Sequence, residues 1–231
     1  MRPVQPVFVH GWGFGPDFWA PLQAVLGWDD ALTLDLGFVG QARPASCALA
    51  AQQMQAVQAR GTAILGVGHS LGFLWLAQHM DLSCANRLVG INAFAAFAAR
   101  ETFASGVPVR VLQRMLKGLA NAPEKVLADF RGLCGAEETT RCGPNVPNLR
   151  IGLDLLLTGD VRSRLAHAAE PCRVLAARQD PVVSTAMTED SFAQGEDIHW
   201  VAGGHLLPQT HVQACAAFLQ SARKTMEQDA T

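Results

Sequence analysis

Ser70 stands between two glycines in the stretch GVGHSLGF, and its setting is that of a reactive serine. Residues 62–67 have the continuous apolar composition of a buried parallel strand, and residues 71–80 that of a buried helix. A strand that turns sharply into a helix leaves no room for side chains two positions from the turn, where this chain carries Gly68 and Gly72. The pattern predicts that Ser70 is a nucleophile raised above the carboxyl edge of a sheet.

A serine hydroxyl is a weak nucleophile, so it needs a histidine base and an acid that orients the histidine. On a strand-turn-helix serine the expected chain order is Ser, then Asp or Glu, then His. Asp180 follows the apolar run 172–177, and His205, in GGH, follows the run 197–201. We therefore predict a triad of Ser70, Asp180 and His205. Other residues fit this order less well, because they lie within or ahead of helices and strands: Asp190, Asp197, His199 and His211.

The stretch HGWGFG, residues 10–15, follows the first apolar run and suggests an oxyanion site. Its glycines let a backbone N–H approach a substrate closely. We expect the N–H groups of Trp12 and Leu71 to bind the tetrahedral oxyanion. A dinucleotide-binding turn is the alternative, but that fingerprint is GxGxxG, whereas this stretch reads GxGxG.

Short apolar runs alternate along the chain with longer helical patterns, which is typical of a parallel sheet covered by helices on both faces. The strands are predicted at 6–10, 31–36, 62–67, 87–92, 172–177 and 197–201, and the helices at 16–26, 46–60, 71–80, 160–168 and 209–227. Residues 98–164 interrupt the alternation with several short helices. We expect an α/β core formed by residues 1–97 and 165–231, with residues 98–164 inserted as a helical lid.

Composition excludes several classes of protein. A net charge of −2 argues against a general nucleic-acid binder. The six cysteines form no CxxC pair, which favours reduced thiols in a cytoplasmic protein. The amino terminus lacks a signal-peptide pattern. Residues 61–80 have the length of a membrane span, but they carry a serine and two histidines, so we expect a strand and a helix there. We also expect a monomer.

These motifs resemble the α/β-hydrolase superfamily and, within it, the pimeloyl-[acyl-carrier protein] methyl ester esterases, over nearly the whole chain. HGWGFGPDFW resembles the oxyanion segment of that family, GHSLGF its nucleophile turn, and ARQDPVV and GGHLLP its acid and base loops. VLQRMLKGLANAPEKVLADFRGLCG and GLDLLLTGDVR resemble its lid. The first strand begins almost at the start, so we expect about six strands, without the two leading strands usual in the superfamily. His69 departs from the resemblance, which implies tryptophan there.

The resemblance implies hydrolysis of a methyl ester at the far end of an acyl chain carried on an acidic carrier protein, in biotin synthesis, with no metal or organic cofactor. Trp12, Leu71 and Phe130 would line the acyl channel. Residues 98–165 contain ten Lys or Arg and seven Asp or Glu, so the lid is basic. On this view five lid residues would contact the carrier: Arg114, Lys117, Arg131, Arg141 and Arg150.

Two other functions are consistent with the sequence. The same triad could act on small soluble esters, lactones or a carbon–carbon bond. The fold could also be a binding protein without catalytic activity, although the three triad residues in the expected order argue against it.

Overall fold

The computed structural model of the 231-residue chain describes residues 3–40, 46–83, 85–136, 143–192 and 197–229. Within these ranges the chain forms one sheet of six parallel strands with helices on both faces. The α/β architecture with a parallel sheet of about six strands, predicted from the sequence, is confirmed. No helix in the described ranges is long and apolar enough to span a membrane.

The sheet has the order β2-β1-β3-β4-β5-β6. Its strands are β1 (Val4–Val9), β2 (Leu32–Leu34), β3 (Ala63–His69), β4 (Arg87–Ile91), β5 (Arg173–Ala177) and β6 (Asp197–Val201). All neighbouring pairs are parallel. The carboxyl ends of all six strands therefore meet at one edge of the sheet, where the connections after β1, β3, β4, β5 and β6 come together.

A 3₁₀ turn at Pro16–Trp19 precedes ten α-helices in the described chain. They are α1 (Ala20–Leu26), α2 (Cys47–Gln58), α3 (Leu71–His79), α4 (Val109–Asn121), α5 (Pro123–Cys134), α6 (Val146–Thr158), α7 (Arg162–Ala166), α8 (Thr185–Ser191), α9 (Leu207–Thr210) and α10 (Val212–Asp229). Between β4 and β5, α4 packs against both α5 and α6. Residues 106–108, Gly-Val-Pro, lie directly before α4, and Pro123 follows the α4–α5 junction as the first residue of α5.

Two predicted helices are divided in the structure. The helix predicted at 16–26 begins as a 3₁₀ turn and becomes α-helical only at Ala20. The helix predicted at 209–227 is split into α9 and α10, with His211 between them. The strand predicted at 31–36 is shorter, because this edge strand pairs only along Leu32–Leu34 with β1.

The core forms two layers, one on each face of the sheet, because successive side chains of a strand point to opposite faces. In β1, Val7 and Val9 belong to the core cluster that includes α2, α3 and the helices between β4 and β5, whereas Phe8 belongs to the cluster that includes α1 and α10. Every residue of β3 is buried. The strand that leads to Ser70 is thus fixed from both sides.

Candidate active site

Ser70 lies on the turn between β3 and α3, where its backbone has φ 53° and ψ −123°. A positive φ is uncommon for a residue with a side chain and persists only where the surroundings enforce it. A Cβ at Gly68 would lie 2.3 Å from the Cα of Phe73, and a Cβ at Gly72 would lie 2.1 Å from the carbonyl oxygen of Val9. The tight strand-turn-helix predicted from the two glycines is therefore confirmed, and Ser70 is 4% exposed on it.

Asp180 and His205 form a buried pair on the loops after β5 and β6. The Nδ1 atom of His205 lies 2.8 Å from Oδ2 of Asp180, and each side chain is 1% exposed. The other oxygen, Oδ1, accepts hydrogen bonds from the N–H groups of Val182 and Val183 at 2.7 and 3.0 Å. An ionised carboxylate only accepts hydrogen bonds, so Nδ1 carries a proton. In the neutral ring, Nε2 then holds the free lone pair.

No hydrogen bond joins the Ser70 hydroxyl to the His205 ring, because Nε2 of His205 is buried without a partner among the described residues. His69, which directly precedes Ser70 in the chain, nevertheless contacts His205. Its ring centroid lies 4.7 Å from that of His205, and its Nε2 lies 2.8 Å from the His205 carbonyl oxygen. Hydrogen bonds between catalytic groups are often long in ligand-free enzymes. The structure thus places His205 beside the serine turn.

The loop after β1 lies directly against this turn. A Cβ at Gly11 would lie 3.1 Å from the Cβ of Ser70 and 2.8 Å from Nδ1 of His69, so a larger residue there would displace the side chain of His69. The side chain of Trp12 is buried, and its Nε1 donates to the carbonyl oxygen of Leu149 in α6 at 2.9 Å. Its ring meets that of Phe130 edge to face at 4.9 Å. Trp12 and Phe130, which were both predicted to line the acyl channel, are therefore in contact.

The five residues predicted to contact a carrier have different surroundings. Arg114 and Lys117 on α4, and Arg150 on α6, are exposed. Arg131 is partly buried, and its Nε donates to the carbonyl oxygen of Gly13 at 2.9 Å, so this guanidinium contacts the loop after β1. Arg141 lies outside the described residues.

Three polar residues at the same edge have contacts that the sequence did not suggest. The Nδ1 atom of His10 donates to the carbonyl oxygen of Gly11 at 3.0 Å. The sequence assigned no role to His69, which was noted as a departure from the resemblance, or to Asn92, which was predicted only as the last residue of the strand at 87–92. Asn92 directly follows β4 and contacts the loop that carries His205. A polar residue directly after a buried parallel strand is the signal that would have identified it.

Burial holds the pKa of His69 well below its usual range, and repulsion by the nearby His205 lowers it further. His69 is therefore neutral at pH 7. Among the described residues, no group of three or more His, Cys, Asp or Glu side chains is arranged to hold a metal ion. Cys134, Cys172, Cys47 and Cys215 are free thiols in this part of the chain.

Comparison with known proteins identifies the class to which this fold belongs. A family model described as the alpha/beta hydrolase family matches residues 7–218, which is most of the chain. The chain belongs to the α/β hydrolase family.

Within that family the chain is similar to a protein named pimeloyl-[acyl-carrier protein] methyl ester esterase from Xylella fastidiosa (strain M23). The two are 26% identical over 236 residues, which is 93% of this chain and 92% of the relative. The resemblance inferred from the motifs is therefore confirmed.

Solved structures show the same fold. An esterase, EaEST, from Exiguobacterium antarcticum superposes with a TM-score of 0.80 at 13% identity, covering 97% of this chain and 93% of its own. BioG from Haemophilus influenzae superposes with a TM-score of 0.60 at 14% identity, covering 89% and 90% of the two chains.

Proposed function

We propose that this protein is a serine esterase in which Ser70 attacks the ester carbonyl, His205 accepts the serine proton and Asp180 orients His205. The observation that carries this proposal is the buried pair of Asp180 and His205, whose free Nε2 lies in a ring beside the serine turn. The arrangement supplies a nucleophile, a base and an orienting acid, which are the parts of a catalytic triad.

The reaction proceeds in two halves. Ser70 Oγ adds to the carbonyl carbon while His205 Nε2 takes its proton, and the tetrahedral intermediate expels the alcohol, which receives that proton. A water molecule then gives a proton to Nε2 and adds to the acyl-enzyme, and Ser70 leaves with the proton returned. The negative charge of Asp180 stabilises the imidazolium that forms in each half.

We assign the oxyanion site to the backbone N–H groups of Trp12 and Leu71. Leu71 is the first residue of α3, where an N–H has no acceptor within the helix. The carbonyl of Gly11 accepts from His10 Nδ1 at 3.0 Å and from the N–H of Phe14 at 3.4 Å. The C=O and N–H of one trans peptide point in opposite directions, so these bonds turn the N–H of Trp12 away from His10. This orientation supports its use as an oxyanion donor.

The substrate we propose is the methyl ester of an acyl chain carried on an acidic carrier protein, as in the name of the Xylella fastidiosa relative. Residues 98–164 would act as a lid over the carboxyl edge, with Phe130 against Trp12 at the acyl channel. The exposed cations Arg114, Lys117 and Arg150 support an acidic partner. The product would be a free carboxylate on a carrier-linked chain, of the kind used in biotin synthesis.

Hydrolysis of p-nitrophenyl butyrate tests the esterase proposal. Ser70→Ala and His205→Ala should each lower kcat by a factor on the order of 10⁴ to 10⁶. His199→Ala is a matched control, because His199 pairs with Asp197 at 2.9 Å on the exposed part of β6. This variant should keep the kcat of the wild type. Full activity in Ser70→Ala, or no activity in the wild type towards any ester, would refute the proposal and favour a binding protein.

Release of methanol from a carrier-linked methyl ester tests the substrate. Arg114→Glu with Arg150→Glu should raise KM for this ester about tenfold, a change of 1.4 kcal/mol in binding, and leave p-nitrophenyl butyrate hydrolysis unchanged. Lys224→Glu, on the exposed side of α10 across the sheet, is the control and should change neither. If the double variant treats both esters like the wild type, or if the wild type hydrolyses only small esters, the carrier substrate is wrong.

A further inference from the structure

The loop that carries His205 has to cross the carboxyl ends of two strands to reach Ser70. His205 follows the edge strand β6, whereas Ser70 follows β3, and β4 and β5 lie between them. Asp180 holds the ring of His205 through Nδ1, but that bond does not fix the position of the His205 backbone. A base must lie within hydrogen-bond reach of its nucleophile, so the position of this crossing backbone matters for catalysis.

Asn92 binds the loop that carries His205 through its side-chain amide. Its Nδ2 donates to the carbonyl oxygens of Gly204 and His205 at 2.9 and 2.8 Å, and its Oδ1 accepts from the N–H of Ala177 at 2.8 Å. The amide of Ala177 can only donate, which fixes which end of the side chain faces β5. Both hydrogens of the Asn92 amide therefore point at the loop of His205, and the side chain is buried at 1% exposure.

His69 holds the same carbonyl from β3. Its Nε2 lies 2.8 Å from the carbonyl oxygen of His205, and a carbonyl only accepts, so Nε2 carries the proton. The ring is fully buried, with Phe18 at 4.4 Å and the ring of His205 at 4.7 Å. Because burial keeps His69 neutral, this donor does not place a second positive charge beside the imidazolium of His205.

The backbone of Asn92 is itself unusual. Asn92, with φ 46°, and Ser70 are the two non-glycine residues with positive φ in the described chain. Asparagine adopts this conformation more easily than most residues, and its amide supplies two donors and one acceptor. Aspartate would set a carboxylate oxygen against two carbonyl oxygens, and glycine would keep the backbone but lose all three side-chain hydrogen bonds. The position thus requires both the conformation and the amide.

We propose that Asn92 and His69 are positioning residues, which set the distance between His205 and Ser70 through three hydrogen bonds to the carbonyls of Gly204 and His205. This inference rests on the proposed function, because it takes His205 as the base. Neither residue touches the reacting atoms in this scheme. Both act through the backbone of His205.

Steady-state hydrolysis of p-nitrophenyl butyrate by variants of Asn92 tests the inference. A displacement of the base by about 1 Å can cost about 100-fold in rate. We expect Asn92→Asp and Asn92→Gly to lower kcat by about 10- to 100-fold with KM unchanged, since no substrate contact is lost. Phosphonylation of Ser70 by a p-nitrophenyl phosphonate should slow by the same factor, because it needs the same base.

Asn86→Asp is the matched control. Asn86 is also buried, at 7% exposure, and also binds backbone groups at both ends of its amide, accepting from Ile64 N–H and donating to the Asp81 carbonyl. It precedes β4, at the opposite edge of the sheet. Asn86→Asp should lower the melting temperature but keep the kcat of the folded protein. This comparison separates loss of positioning from general destabilisation.

For His69, the comparison is between His69→Gln, whose amide can still donate, and His69→Leu, which cannot. We expect His69→Gln to retain at least fivefold more kcat than His69→Leu at equal melting temperature. If the Asn92 variants are folded and keep wild-type kcat and phosphonylation rates while Ser70→Ala is inactive, the positioning role is wrong and the triad stands. If Ser70→Ala is active, the proposed function itself fails, whatever the Asn92 variants do.

Discussion

Gly72→Ala tests how closely the serine turn is packed against β1. A Cβ at this position would lie 2.1 Å from the carbonyl oxygen of Val9 and 2.7 Å from that of His10, both of which are backbone atoms. Contacts with a Cβ below 3.0 Å are essentially never seen, so the start of α3 and the end of β1 must separate by about 1 Å. No side-chain rotation can relieve this contact.

The expected cost has two parts. Overpacking of this kind destabilises by about 1–3 kcal/mol, which lowers the melting temperature of a domain of this size by about 2–12 °C. The same shift moves Leu71 away from the loop that carries Trp12. A change of about 1 Å between the two proposed oxyanion donors should lower kcat about 100-fold.

Thermal unfolding and p-nitrophenyl butyrate hydrolysis measure the two parts. Gly132→Ala is the control, because Gly132 is exposed in α5 and a Cβ there would meet nothing within 4 Å. Alanine is favoured over glycine in a helix by about 1 kcal/mol, so this variant should gain about 2–4 °C and keep its kcat. A Gly72→Ala protein that matches the wild type in both measurements would refute the packing described for the turn.

Two further predictions concern charge and thiol chemistry. Hydrogen bonds from Arg162, together with the charge of Arg100, hold the pKa of Asp160 below its usual value. The ionised carboxylate therefore stabilises the folded protein above about pH 4, and this contribution is lost as the pH falls through the lower folded-state pKa. Asp160→Asn should lower the free energy of unfolding, measured in urea at pH 7, by about 1 kcal/mol and make it less dependent on pH between about 5 and 3. An acid dependence equal to that of the wild type would contradict this prediction. Burial raises the pKa of the Cys47 thiol to about 11, so Ellman's reagent at pH 8 should label Cys47 about 100-fold more slowly in the folded protein than in urea. Equal labelling rates of Cys47 in the two conditions, measured by peptide mapping, would contradict this prediction.

The elements that local chemistry defines could be predicted from the sequence. The run 197–201 is β6 with the same bounds. The helix predicted at 71–80 ends one residue earlier, at His79. Predictions of element bounds were less accurate where contacts with another part of the chain set those bounds. Edge strand β2 is limited by its pairing with β1, and the division at His211 between α9 and α10 has no proline or glycine to announce it.

The triad residues could be proposed from their chain order and their positions after predicted strands, because chemistry restricts which residue types serve as nucleophile, acid and base. The sequence did not suggest the contacts that support them. Asn92 lies 112 residues before Gly204, and His69 lies 136 residues before His205, yet both side chains bind that loop. No local pattern encodes a hydrogen bond between such distant positions.

The sequence by itself determined the family, the parallel α/β alternation and the tight turn at Ser70, because periodicity, glycine spacing and residue chemistry are properties of short segments. Only the tertiary structure decided which side chains meet at the carboxyl edge. It brings Asp180 and His205 into a buried contact, lets Arg131 donate a hydrogen bond to the carbonyl of Gly13, and lets Asn92 donate one to the carbonyl of His205. The order of the strands in the sheet sets these contacts, since it brings loops from distant parts of the chain to one edge.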